Sequence, residues 1–73
     1  MSERLLLSQT ELARLLELSS RTISRMNASR KIPQPVRVGR SVRWRRDEVE
    51  QWIAAGCPER NEWEARRITV KHN

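Results

Sequence analysis

The chain has 73 residues, half of the roughly 150 expected per domain, which excludes a multi-domain enzyme and leaves room for one small packed core. At 37% hydrophobic and 33% charged, with three aromatics that are all Trp, the composition is globular rather than disordered or fibrous, and no apolar run approaches the roughly 20 residues that cross a bilayer. The net charge of +6 is concentrated: residues 18–46 hold Arg21, Arg25, Arg30, Lys31, Arg37, Arg40, Arg43, Arg45 and Arg46 and no Asp or Glu, while the remainder of the chain is net acidic. A localised footprint of this kind predicts a polyanionic partner. Its eight arginines to one lysine favour phosphates and guanine edges, which suit a planar guanidinium fork.

The single cysteine, Cys57, has no internal partner, and the single histidine, His72, completes no zinc ligand set, so neither a disulfide, a metal nor another cofactor is expected. Cys57 lies between Gly56 and Pro58 with no His to activate it and reads as a passive loop thiol.

In chain order, Ser8 and Glu11 form a capping box, and Leu7 and Leu12 stand at the two positions of a hydrophobic staple. With Leu15 and Leu16 extending the stripe, the first helix is predicted over Gln9 to Glu17. Leu18 follows as a buried connector. Ser19 then caps a second helix, Ser20 to Ser29, whose inward residues are Ile23 and Met26. At about 100° per residue, Arg21, Ser24, Arg25 and Ala28 fall on the opposite face. An ordinary surface helix would interleave acids as i,i+4 partners for these arginines, and here there are none.

Ile32-Pro33-Gln34-Pro35 cannot continue a helix and reads as a stiff link, too short and wrongly spaced for a Pro-rich ligand. Val36-Arg37-Val38 and Val42-Arg43-Trp44 alternate apolar and basic around Gly39-Arg40-Ser41, the pattern of a β-hairpin with one buried face. A two-residue turn would place Arg37 opposite Val42 and mix the faces. A three-residue loop pairs Val38 with Val42 and Val36 with Trp44, and is the register expected here, with Arg37 facing Arg43 and Arg40 at the tip. Asp47 and Glu50 read as a second capping box for a third helix, Glu48 to Ala55, carrying Val49, Trp52 and Ile53 and stopped by Gly56 and Pro58. The segment after Pro58 is highly charged, holds Trp63, and is either a short amphipathic helix or a mobile tail. The expected division is a domain over residues 1–56 and a charged C-terminal segment over 57–73.

Residues 9–28 resemble a helix-turn-helix, with Ala13, Ile23 and Met26 at its small and aliphatic positions and Glu17 where that motif usually has glycine. From Leu5 to Ile53, the run LLLSQTELA at one end and PVRVGRSVRWRRDEVEQWI at the other resemble the AlpA and excisionase group of small winged-helix proteins, within the MerR-like DNA-binding superfamily. The resemblance implies a mainly α fold with a small β-hairpin, a winged helix-turn-helix. It implies a cytoplasmic, nucleoid-associated bacterial protein of a prophage or other mobile element, acting as an excisionase (recombination directionality factor), as a transcriptional regulator, or as both.

On that basis the second helix enters a major groove of double-stranded DNA, with Arg21, Ser24, Arg25 and Ala28 against base edges and Ser19, Ser20, Thr22, Arg30, Lys31, Arg45 and Arg46 against the backbone. The wing brings Arg37, Arg40 and Arg43 to neighbouring phosphates or the minor groove. The expected free state is a monomer that assembles cooperatively, head to tail, on DNA, with an integrase or recombinase as a candidate second partner. No catalytic residues are expected, because the chain offers no His in the fold, no Gly-rich phosphate loop and no paired acids. Two rival readings are an RNA-binding protein, and a protein-interaction module that inhibits a regulator or recombinase through Asp47, Glu48, Glu50, Glu59, Glu62 and Glu64.

Overall fold

Polar caps set the first two helices. In the computed structural model, which describes residues 5–71, a short strand β1 (Leu6–Leu7) ends at Ser8 and gives way to α1 (Gln9–Leu16). The capping box is complete, with the Glu11 N–H donating to Ser8 Oγ (3.1 Å) and the Ser8 N–H to Glu11 Oε1 (2.9 Å). Ser19 caps α2 (Ser20–Ala28) by accepting from the Thr22 N–H at 3.0 Å. There follow β2 (Val36–Val38), β3 (Ser41–Arg45), α3 (Arg46–Ala54) and α4 (Arg60–Lys71), which together form a mostly helical winged helix-turn-helix. The sheet is antiparallel with strand order β1-β3-β2.

The core is built from Leu7, Leu12, Ala13, Ile23, Ile32, Trp44, Val49, Trp52 and Trp63, so every element except β2 contributes a buried side chain. Leu16, Met26, Val42 and Ala55 pack against its edge. Each indole N–H is used: Trp44 donates to the Pro33 carbonyl (2.9 Å), Trp52 to the Pro58 carbonyl (2.8 Å) and Trp63 to Glu48 Oε2 (2.9 Å). These bonds satisfy groups that would otherwise be costly to bury.

Three helices end in the same Schellman geometry. Leu18 donates to the Ala13 carbonyl, Lys31 to that of Met26 and Cys57 to that of Trp52, each with a companion bond from the preceding residue. The residue that turns left-handed is glycine only after α3, at Gly56. Glu17 (φ 59°) and Arg30 (φ 61°) do the same work after α1 and α2, and Cys57 is also left-handed (φ 57°). Glu17 therefore accepts the strained conformation that glycine would relieve, at about 1 kcal/mol.

Several expectations need correction. The hairpin register is Val36↔Arg43, Arg37↔Val42 and Val38↔Ser41, so Gly39-Arg40 is a two-residue turn and Arg37 does not face Arg43. Gly39 (φ 64°) occupies the first central position, as glycine does in type II′ turns, whose twist suits the flanking strands. Turn chemistry prevails because β2 is an edge strand with no fully buried side chain: Val36 is half-buried and Val38 is 52% exposed, while the core face is set by Val42 and Trp44 on β3. Helix α3 starts at Arg46, directly from β3, without the Asp47–Glu50 box. Arg45 is its N-cap with no side-chain cap bond, and the Arg46 N–H instead extends the sheet to the Leu5 carbonyl at 2.9 Å. Leu18 is 40% exposed rather than a buried connector, on the wall of an open groove with Leu16, Met26 and Trp52, and Leu15 and Ile53 are similarly open. Of the two readings left open for the charged C-terminal segment, the helix is the one observed, as α4, and its Trp63 is 5% exposed in the common core. His72 lies outside the described residues.

Candidate nucleic-acid interface

Helix α2 presents what the period predicts. Ile23 is fully buried and Met26 half-buried, while Arg21, Ser24, Arg25 and Ala28 are all exposed on the other side. At its N-terminus Ser19 and Ser20 are exposed and Thr22 half-buried. Their hydroxyls are held in place: Ser19 Oγ and Thr22 Oγ1 are 2.8 Å apart, and Gln9 Nε2 donates to the Ser20 carbonyl (2.8 Å) and Oγ (3.3 Å). Gln9 thus ties the start of α1 to the start of α2. Sequence reasoning missed it, since an amide that reaches eleven residues along the chain leaves no local pattern.

The nine cations of residues 18–46 divide into two groups. Lys31 is paired with Glu59 (3.0 Å), Arg46 with Glu50 (3.1 Å) and Arg45 more loosely with Asp47 (3.8 Å). Arg43, half-buried, turns Nη1 back onto the Val42 carbonyl at 2.8 Å. Arg21, Arg25, Arg30, Arg37 and Arg40 are exposed and take part in none of the ion pairs found among the described residues. The carboxylates are likewise engaged within the chain, since Glu62 pairs with Arg66 (2.7 Å) and Glu48 with Arg67 (3.0 Å). Of the six acids expected to face a partner, only Glu64 is without such a pair among the described residues.

The geometry therefore leaves uncompensated guanidinium groups on α2, on the turn after it and on the wing. Strand alternation puts Arg43 on one face of the wing and Arg37 on the other, with Arg40 in the turn between them. Fork-shaped donors with no acceptor of their own suit an extended array of phosphates, and those on an exposed helix face suit base edges. Among the described residues, no group of three or more His, Cys, Asp or Glu is placed to hold a metal ion, and no helix is long and apolar enough to cross a membrane. Cys57 is exposed in the α3–α4 connection.

Compared with protein-family models, residues 6–57 match the family described as a helix-turn-helix domain, a span from β1 to the turn after α3. Comparison with curated proteins and with solved structures gave no match.

Proposed function

Because the chain belongs to the helix-turn-helix domain family, whose motif makes DNA its partner, we propose that it is a sequence-specific double-stranded DNA-binding protein, not an enzyme, that reads a major groove with α2. In this reading Arg21, Ser24, Arg25 and Ala28 meet base edges, Ser19, Ser20, Thr22 and Arg30 meet the backbone, and Arg37 and Arg40 on the wing reach adjoining phosphates or the minor groove. Lys31, Arg45 and Arg46 join them by exchanging an exposed ion pair for a phosphate, a small cost for a solvated pair, and Arg43 by releasing the Val42 carbonyl. The protein serves a prophage or mobile element as an excisionase, an AlpA-like transcriptional regulator, or both, with a recombinase as a second partner.

One observation carries the proposal: among the described residues the exposed arginines of α2 take part in no ion pair, while Asp47, Glu48, Glu50, Glu59 and Glu62 are all paired. Single-stranded RNA as the target has less support, because such readers stack bases on exposed aromatics and all three Trp here are buried. Fluorescence anisotropy with labelled duplex DNA, single-stranded DNA and RNA tests the reading. The expected outcome is preference for duplex, with log affinity falling against log salt at a slope of about −4 to −7 as five to eight cations meet phosphates. A flat salt response would remove the electrostatic basis of the proposal.

A further inference from the structure

Nothing in the helix-turn-helix reading assigns a role to α4, yet its first residue touches the reading helix. Arg60 Nη2 donates to Asn27 Oδ1 at 2.7 Å, Arg60 Nε donates to the Ile32 carbonyl at 2.9 Å, and the Arg60 backbone N–H donates to the Arg30 carbonyl at 3.1 Å. These acceptors belong to the last turn of α2, to the left-handed residue that ends it, and to the start of the link that leads to the wing. One half-buried residue thus bridges the end of α2 and the start of the link that leads to the wing. Arg60 lies beyond residues 6–57, the stretch that matches the family model.

We infer that Arg60 is a positioning residue for DNA recognition, fixing the angle between α2 and the wing so that both engage one duplex at once. This rests on the DNA-binding reading above. The Nε–Nη2 edge of a guanidinium presents two parallel N–H groups in fixed geometry, which an ammonium on a flexible stem cannot reproduce. Its charge also faces the carbonyl end of α2, where a cation is favoured. The neighbouring Lys31–Glu59 pair is exposed on both sides and cannot substitute, since solvated pairs constrain little. Otherwise the α2–wing joint is held by the backbone bonds that close α2, by buried Ile32 and Pro33 and by the Trp44 bond to the Pro33 carbonyl, while the side chains of Ser29, Arg30 and Lys31 are exposed.

When two contact surfaces share a rigid frame, the second contact forms at high effective concentration, and loosening the frame lowers it without deleting a contact. Sequence-specific binding needs both surfaces in register. Random DNA, bound mainly through phosphates, tolerates a looser frame. Loss of Arg60 should therefore reduce discrimination more than overall affinity.

The test uses the full chain and two probes: a duplex selected by the wild-type protein from a randomised library, and the unselected library itself. Variants Arg60→Lys, Arg60→Ala and Asn27→Ala are compared under conditions where circular dichroism shows each to be folded. All three are expected to lower the selected-to-random affinity ratio by about tenfold, the scale of one charge-assisted hydrogen bond. Arg60→Lys should be no rescue, the double variant Arg60→Ala/Asn27→Ala no worse than either single, and the salt slope on random DNA unchanged. Equal loss on both probes with a slope reduced by about 1 would make Arg60 a phosphate contact and overturn the inference. An unchanged ratio in folded variants, or rescue by Lys, would overturn it while leaving DNA binding intact. Absence of duplex binding by the wild type would overturn both readings.

Discussion

Arg25 and Arg40 are both exposed and both outside the ion pairs, yet they stand on different elements and are expected to fail differently. Arg25→Ala should cost about 1 to 3 kcal/mol on a selected site and much less on random duplex, the signature of a lost base-edge contact. Arg40→Ala, at the turn of the wing, should weaken binding to most sequences alike, as loss of a phosphate contact does. Titration of both variants against both probes decides the matter: equal loss of specificity from the two would remove the division of labour between helix and wing. Glu17 offers a prediction independent of DNA. Its φ of 59° means that Glu17→Gly exchanges backbone strain for a larger unfolded-state entropy. The net expectation is a gain of about 0.5 to 1 kcal/mol, read as a rise in Tm of about 2 to 8 °C for a chain of this length. A fall in Tm would mean that the Glu17 side chain contributes more than its backbone costs.

At the level of elements, what could be read from the chain and what could not follows from where each signal sits. The caps at Ser8 and Ser19 and the inward pair Ile23 and Met26 are local patterns, so α1, α2 and the exposed arginine face were legible. The hairpin register is not, because alternation is a weak signal on β2, an edge strand with no fully buried side chain, while Gly39 holds the deciding information as the left-handed residue of a two-residue turn. The start of α3 was misplaced for a related reason: Asp47 and Glu50 mimic a cap, but pairing of Leu6 and Leu7 with β3 carries the strand to Arg45, and the helix begins there. Helix α4 stayed undecided since its evidence is tertiary, in Trp63 under the core and in Arg60 at the end of α2. That packing makes a prediction. Trp63→Ala should cost about 3 to 5 kcal/mol, enough to unfold much of a domain this small, because it empties a buried site and leaves the half-buried Glu48 short of a donor. Denaturant unfolding followed by circular dichroism measures this; a change below about 1 kcal/mol would mean that docking of α4 through Trp63 contributes little to the fold.

Across the whole molecule, the Cα extents of 32 × 31 × 24 Å match the roughly 34 Å of one turn of B-DNA, so copies on adjacent turns of one face would touch. A single domain of this size buries only about 600 to 1,000 Å² of protein surface on DNA, which favours repeated copies over one tight contact. Asp47, Glu50 and Glu62 of α3 and α4 are paired within the chain, but these exposed pairs are worth only about 0 to 1 kcal/mol each and can be exchanged for the basic surface of a neighbour. The expected behaviour is a free monomer in sedimentation and occupancy of two or three direct repeats above that of independent sites in footprinting. A stable free dimer, or repeats filled independently, would refute the array. The indoles give this molecule a further property. With no Tyr or Phe in the chain, near-ultraviolet emission comes from three tryptophans alone, and each is lashed to a different joint: Trp44 to the link before the wing, Trp52 to the α3–α4 connection, Trp63 to α3 itself. Release of a joint frees one indole N–H from its acceptor and admits water beside one ring. The chain therefore carries three built-in optical gauges, and subtracting them one at a time by Trp→Phe replacement separates the loosening of the wing from the undocking of the last helix within a single melting curve.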